Sequence, residues 1–328
     1  MTIAISGTTG VTLAGQFDSA STFGFKNRFI NGAMQIAQRG TTGTSGAAVP
    51  TTTAVYPSVD RWFAYATGAT VSVAQVAGSG SNRNNLQVTG AASVTAVGVG
   101  QRIESLNSYD LAGNTVTLSV NMSNSVLSTV SWQASYASST DTWATKTTIA
   151  TGSFSVTGTL TNYTAQIVIP AAATTGIEIL FTVGAQTSGT WVIGNAQLEK
   201  TTATATTFDY RPYGTELALC QRYYYLLSTA AARELFNSQA YSTTAVFGKV
   251  LDLPVTMRVA PAVSLIGSLS PTNAAGTQQG SFSGTTLSGA NSNMVVTGGL
   301  SGSSGLVAGN SSVVYLSAGG GILCSAEL

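Results

Sequence analysis

Trp132, Gln133, Tyr136, Asp141 and Trp143 crowd into one short stretch of the chain, and they are the residue types that hold a sugar. A pyranose has an apolar C–H face, which a flat indole or phenol ring can cover. Its rim of hydroxyls can be met by an amide or a carboxylate. The polar run Ser138 to Thr142 lies between the rings and reads as a loop. Packing in the core or against a neighbouring subunit is the competing role for these rings. Trp62 and Trp191 fall in β-like runs and are expected in the core. A second concentration of functional groups is Asp209, Arg211, Glu216 and Arg222. It is expected to be an ion-pair network between domains or subunits. A catalytic acid and base would need a defined separation, which nothing in the pattern sets.

Other chemistries drop out. Histidine is absent, which removes the commonest general base and metal ligand. Ala318-Gly319-Gly320-Gly321 has no Lys-Ser/Thr after it and is no phosphate loop. Cys220 and Cys324 are expected as buried free thiols, a bridge between them being the alternative, and no Cys-x-x-Cys suggests zinc. No catalytic residue, cofactor or metal is therefore expected. Only 8% of residues are charged and the net charge is +1, against roughly 25% charged in ordinary soluble proteins. That gives no footprint for nucleic acid. No run of about 18 apolar residues occurs, so no membrane insertion is expected. Met1 to Ser6 lack a basic region and an apolar core, which reads as no secretory signal.

The elements that must position these groups read as strands. Arg61–Tyr65, Thr70–Val76, Asn85–Val88, Gly98–Ile103, Asn114–Met122, Val130–Tyr136, Thr164–Ile169, Gly176–Val183 and Thr190–Leu198 are rich in β-branched and aromatic residues. Val116, Leu118, Val120 and Met122 alternate with Thr115, Thr117, Ser119 and Asn121, the period of a half-buried antiparallel strand. Turn-like runs such as Gly78 to Asn82 and Leu111 to Asn114 separate them. The fold class is all-β, an antiparallel jelly-roll sandwich over residues 26–213. A short helix is expected over Thr215–Tyr223. Strands then resume from Ala245–Val250 to Ile322–Cys324, making 214–328 a smaller β-domain. Tyr223-Tyr224-Tyr225 is expected to pack at the domain interface. Arg102 is expected to pair with Glu104, Asp60 with Arg61 and Glu199 with Lys200.

Two motif groups carry a family likeness. The opening holds Phe25-Lys26-Asn27-Arg28-Phe29-Ile30-Asn31-Gly32-Ala33-Met34, then Gln38-Arg39-Gly40 and Val59-Asp60-Arg61-Trp62. The closing group runs from Trp191 through Glu199-Lys200 and Phe208-Asp209-Tyr210-Arg211-Pro212-Tyr213-Gly214 to Leu219-Cys220-Gln221-Arg222-Tyr223-Tyr224-Tyr225. This order resembles bacteriophage tail-fibre and tail-tip receptor-binding proteins, in which a jelly-roll of carbohydrate-binding-module type precedes a small C-terminal β-domain.

The resemblance implies a structural virion protein, made in the host cytoplasm and placed on a tail appendage. It would be a homotrimer that grips a host cell-surface glycan without altering it. Residues 1–25 would dock on other virion tail or baseplate proteins or wind the trimer, and 214–328 would form a receptor-binding tip. A capsid decoration or head-fibre protein, and a glycan-degrading tailspike enzyme, are the rival readings. Related modules bind a structural calcium through acidic residues. Here Ala33-Met34-Gln35 and Gly194-Asn195-Ala196 stand at those positions. They lack the anionic oxygens calcium prefers.

Overall fold

A computed structural model describes residues 3–6, 10–13, 25–50, 53–78, 82–201, 204–273 and 275–328, the first two stretches as backbone. The chain divides into two compact units, Met1–Glu216 with Leu328, and Leu217–Glu327. Ile3–Ser6 (β1) and Gly10–Leu13 (β2) pair antiparallel. The rest of the expected docking segment 1–25, Phe25 apart, lies outside the described residues.

The first unit is a jelly-roll of two antiparallel sheets. Its strands are Thr42–Thr44 (β3), Phe63–Thr67 (β4), Ser72–Ala77 (β5), Asn84–Thr89 (β6), Ala96–Ile103 (β7), Thr115–Asn124 (β8), Thr129–Ser139 (β9), Thr142–Ser155 (β10), Thr161–Val168 (β11), Ile177–Val183 (β12) and Thr190–Glu199 (β13). One sheet has the order β10-β9-β12-β7-β4, the other β11-β8-β13-β6-β5-β3. The inner faces enclose a single core that includes Trp62, Val99, Leu118, Val120, Phe181, Trp191 and Ile193, all fully buried. Trp62 and Trp191 are core residues, as their strand-like surroundings suggest. On β8, Val116, Leu118, Val120 and Met122 face that core, yet Thr117 and Ser119 opposite them are also buried. The outer side of β8 is covered in part by the chain leaving β13, where the Thr117 hydroxyl donates to the Thr201 carbonyl at 3.2 Å.

β10, the longest strand and an edge strand, is not foreseen from the sequence. Its run Thr-Trp-Ala-Thr-Lys-Thr-Thr-Ile-Ala-Thr-Gly-Ser-Phe-Ser carries few apolar residues, because an edge strand with one open face has little apolar area to bury. Between β7 and β8 a helical turn, α1, spans Ser105–Ser108 and runs into a 3₁₀ turn at Tyr109–Leu111.

Helix α2 spans Tyr213–Gln221, starting just after Pro212, which suits the first turn of a helix. The second unit holds Tyr224–Ser228 (β14), Arg233–Gln239 (β15), Val250–Asp252 (β16), Ala262–Ile266 (β17), Leu269–Pro271 (β18), Gly284–Asn291 (β19), Met294–Ser301 (β20), Ser311–Leu316 (β21) and Gly321–Ser325 (β22). They form three small antiparallel sheets, β14-β22-β17, β15-β21-β18 and β16-β20-β19. One core gathers Phe236, Val246, Leu269, Phe282, Leu300 and Val314; another holds Met257, Val295, Ile322 and Cys324.

One expectation needs correction here. Residues 245–249 form no strand; Val246 makes a single bridge with Ala240, and Val250 opens β16. In the tyrosine run, Tyr224 and Tyr225 open β14 and pair with Ser325 and Cys324. Cys220 and Cys324 are both buried and form no disulfide with each other.

Candidate functional site

The sugar-binding candidates are distributed by the pleat of β9. Val130, Trp132 and Ala134 point into the core, so Ser131, Gln133 and Ser135 point outward. Trp132 is only 8% exposed, its ring centroid 6.4 Å from that of Phe154. The paired residue across the ladder is Gly152; a Cβ there would lie 2.6 Å from the Trp132 ring. Tyr136 packs partly buried against the same core.

Asp141 and Trp143 serve other neighbours. The Asp141 carboxylate accepts from the Ser105 amide at 2.7 Å and from the Ser105 hydroxyl at 3.1 Å. It thereby ties the β9–β10 turn to the start of α1. Trp143 is buried on the outer side of its sheet, its ring 5.1 Å from the Arg102 guanidinium carbon.

What the outer face of β10, β9 and β12 does offer is an open depression of about 370 Å³ lined by Ser131, Trp132, Gln133, Thr151, Gly152, Ser153 and Thr182. Its wall carries hydroxyls and one amide, with no charge. Gln133 Nε2 donates to Ser135 Oγ at 2.9 Å and to Thr148 Oγ1 at 3.1 Å, which fixes the orientation of that amide. Of the five candidates, Trp132 and Gln133 border this depression. Sequence reasoning missed Thr151, Ser153 and Thr182, because outward Ser and Thr are everywhere in this chain and nothing local marks these three.

Farther along the same outer face is a buried charge cluster. Arg102 Nε donates to Glu178 Oε2 at 2.9 Å, both side chains essentially inaccessible, and Lys146 Nζ binds Glu178 Oε1. Arg102 Nη2 reaches the Pro50 carbonyl at 3.3 Å. Its guanidinium lies between the rings of Phe63 and Trp143, at 5.4 and 5.1 Å, a placement that attracts a cation to the ring quadrupoles. Arg102 thus finds its carboxylate on β12, where the register sets Arg102 opposite Glu178, instead of at the expected Glu104.

Tyr56, Phe63, Tyr65 and Leu180 form an apolar cluster beside the charges. The Tyr65 ring lies over Gly98, where a Cβ would come within 2.1 Å of its Cε1. Burial, and then the negative charge of Glu178, raise the Tyr65 phenol above its usual range.

The expected network of Asp209, Arg211, Glu216 and Arg222 is brought together only in part. Arg211 Nη1 pairs with Glu216 Oε1 at 3.2 Å, and Glu216 also accepts from the Asn31 amide. Asp209 accepts from the Asn27 amide at 3.3 Å. Arg222 belongs to the second unit, where its carbonyl accepts from the Arg258 amide at 2.8 Å.

Among the other expected pairs, Asp60 is met by Arg39 at 3.4 Å. Glu199 accepts from the Thr206 hydroxyl at 2.7 Å, and Lys200 Nζ donates to the Asp110 carbonyl at 2.9 Å. At the positions weighed for calcium in the sequence, the Ala196 amide donates directly to the Gly32 carbonyl at 2.9 Å. Among the described residues no group of three or more Cys, Asp or Glu side chains is placed to hold a metal ion.

No family model matches the chain, and no curated protein matches it in sequence. Solved structures resemble part of it. A CBM4 structure is similar at 15% identity and a TM-score of 0.36, over 52% of this chain and 98% of that one. A CBM61 structure in complex with β-1,4-galactotriose is similar at 12% identity and a TM-score of 0.32, over 43% and 88%. The enzymatically active domain of tailspike protein 4 from bacteriophage CBA120 is similar at 14% identity and a TM-score of 0.35, over 54% of this chain and 22% of that one. Likenesses this partial assign no ligand to this chain.

Proposed function

We propose that the first unit binds a neutral glycan on the outer face of its five-stranded sheet. The observation that carries this reading is the open depression lined by Ser131, Gln133, Thr151, Ser153 and Thr182. A wall of hydroxyls around a pre-oriented amide matches the rim of an uncharged sugar, and the absence of charge disfavours an anionic one. Around this site the chain works as a non-enzymatic attachment protein of a bacteriophage tail appendage, and as a homotrimer. The order of the opening and closing motifs supports the phage assignment. Several copies of a weak site then multiply binding through avidity. The carboxylates singled out in the sequence support the non-enzymatic reading, because Glu216 is held by Arg211 and Asp209 by a backbone amide.

A glycan array probed with the full chain tests this. Neutral oligosaccharides are expected to bind, and Gln133→Ala to weaken them about three- to ten-fold, the worth of one or two hydrogen bonds. Unchanged binding in that variant would overturn the site. Host surface polysaccharide incubated with the protein is expected to keep its length; shortened chains would establish the tailspike-enzyme rival. Sedimentation is expected to give three protomers, and antibody labelling of purified particles to mark the tail. Label on the head would favour the decoration rival.

A further inference from the structure

The second unit exposes an aromatic pair that its own fold does not need. Tyr241 and Phe247 are 49% and 55% exposed, with ring centroids 5.0 Å apart and planes at 46°. Water-facing rings side by side forgo burial that each would otherwise gain. They flank a tight reversal of the chain. The Tyr241 amide donates to the Ala245 carbonyl at 3.1 Å, and the Phe247 amide to the Gln239 carbonyl at 3.0 Å. The two residues just inside them, Ala240 and Val246, are bridged to one another and buried in the core. The rings therefore stand on a fixed base.

A second loop braces this one. The Ser303 amide donates to the Thr244 carbonyl at 3.1 Å, the Gly309 amide to the Ala240 carbonyl at 2.7 Å, and the Ala240 amide to the Asn310 carbonyl at 3.0 Å. Gln239 Nε2 donates to the Gly309 carbonyl at 2.8 Å. Val307, 57% exposed, sits on the bracing loop. Residues 237–248 and 303–312 contain no charged side chain; their polar side chains are Ser, Thr, Asn and Gln.

We propose that this aromatic pair is a second carbohydrate contact, taking an uncharged hexose or a short neutral oligosaccharide by its C–H face. Three features select that ligand class. The paired apolar area is two rings, enough for one or two sugar residues but far below the roughly 800 Å² per partner of a stable protein interface. The two loops are uncharged, whereas protein contacts usually recruit Arg at their centre. The loop that carries the rings is held by backbone hydrogen bonds, so its backbone needs little ordering on binding. The site lies wholly within the second unit and does not depend on the depression in the first.

The test uses the full chain, ¹⁵N-labelled and titrated with maltotriose, cellotriose and β-1,4-galactotriose at millimolar concentration. At least one of them is expected to shift the amides of 238–247 and 303–310, in wild type and in Gln133→Ala alike. Phe247→Ala and Phe247→Leu are both expected to weaken that sugar about three- to ten-fold, because leucine keeps apolar area but lacks a flat π-face. Tyr241→Phe is expected to retain binding. An unchanged far-ultraviolet spectrum checks that each variant folds. Three results would overturn the proposal: none of the three sugars shifts these amides, Phe247→Leu binds as wild type does, or the two loops shift on raising protein concentration and Phe247→Leu still supports that self-association. Loss of the first-unit shifts alone, in Gln133→Ala, bears on the other site and leaves this one standing.

Discussion

Glu178 is the residue whose replacement most directly tests the structure of the first unit. Arg102 Nε lies 2.9 Å from its Oε2, and both side chains are buried. At an effective dielectric of about 20 the attraction at that distance is about 6 kcal/mol, much of it offset by the cost of drying both charges. Glu178→Gln keeps the shape and removes the charge opposite Arg102 Nε, leaving the buried guanidinium only its contacts to the Leu328 oxygen at 2.9 Å and the Pro50 carbonyl at 3.3 Å. Breaking such a pair from one side costs about 3–5 kcal/mol.

For a unit of this size 1 kcal/mol moves the midpoint by roughly 2–4 °C, so the first unit should melt roughly 10 °C lower in calorimetry. Lys146 also touches Glu178 but is 22% exposed, so Lys146→Ala should cost at most about 1 kcal/mol. The paired replacement Arg102→Met with Glu178→Leu removes both charges together and should recover most of the loss, since apolar isosteres of a buried pair are often neutral or better. A loss below about 1 kcal/mol in Glu178→Gln would refute the reasoning. So would a double variant as unstable as the single one.

Gly98→Ala should displace the Tyr65 ring, because the new Cβ would meet Cε1 at 2.1 Å; a cost of about 1–3 kcal/mol in urea unfolding is expected. Asp141→Ala should cost about 0.5–2 kcal/mol by stripping the Ser105 amide of its acceptor, whereas Asp141→Asn, which keeps an acceptor and tolerates the φ of 53° there, should cost less by the same assay. Burial pushes the Cys324 thiol from 9.0 up to about 11. A pKa raised on folding adds stability that is complete below pH 9 and lost as pH climbs toward 11. Cys324→Ala should therefore flatten the fall in second-unit stability between pH 9 and pH 11, followed by denaturant titration at each pH.

Much of the β architecture is readable in the chain because alternation is a local property. On β8 the sequence Thr-Val-Thr-Leu-Ser-Val-Asn-Met states which side chains share a face before any partner strand is known. The same logic fails for β10, whose open edge position asks for no apolar pattern. It fails again for the candidate site. Trp132 and Gln133 are neighbours in sequence, yet the pleat sends one into the core and the other to the surface. In the second unit, nothing in the run from Tyr241 to Phe247 announces that both rings remain exposed; that depends on Ala240 and Val246 filling the core beneath them.

Composition and periodicity alone determined an all-β chain, nearly without ionic groups, lacking histidine and carrying two cysteines. Tertiary structure decided the partnerships. Arg102 has Glu104 two residues away, but meets Glu178 because β7 and β12 align in one register. Register is fixed by which whole set of side chains fills the core, and a slip of one residue would turn every one of them to the other face. That sum over two sheets is not written in any single strand.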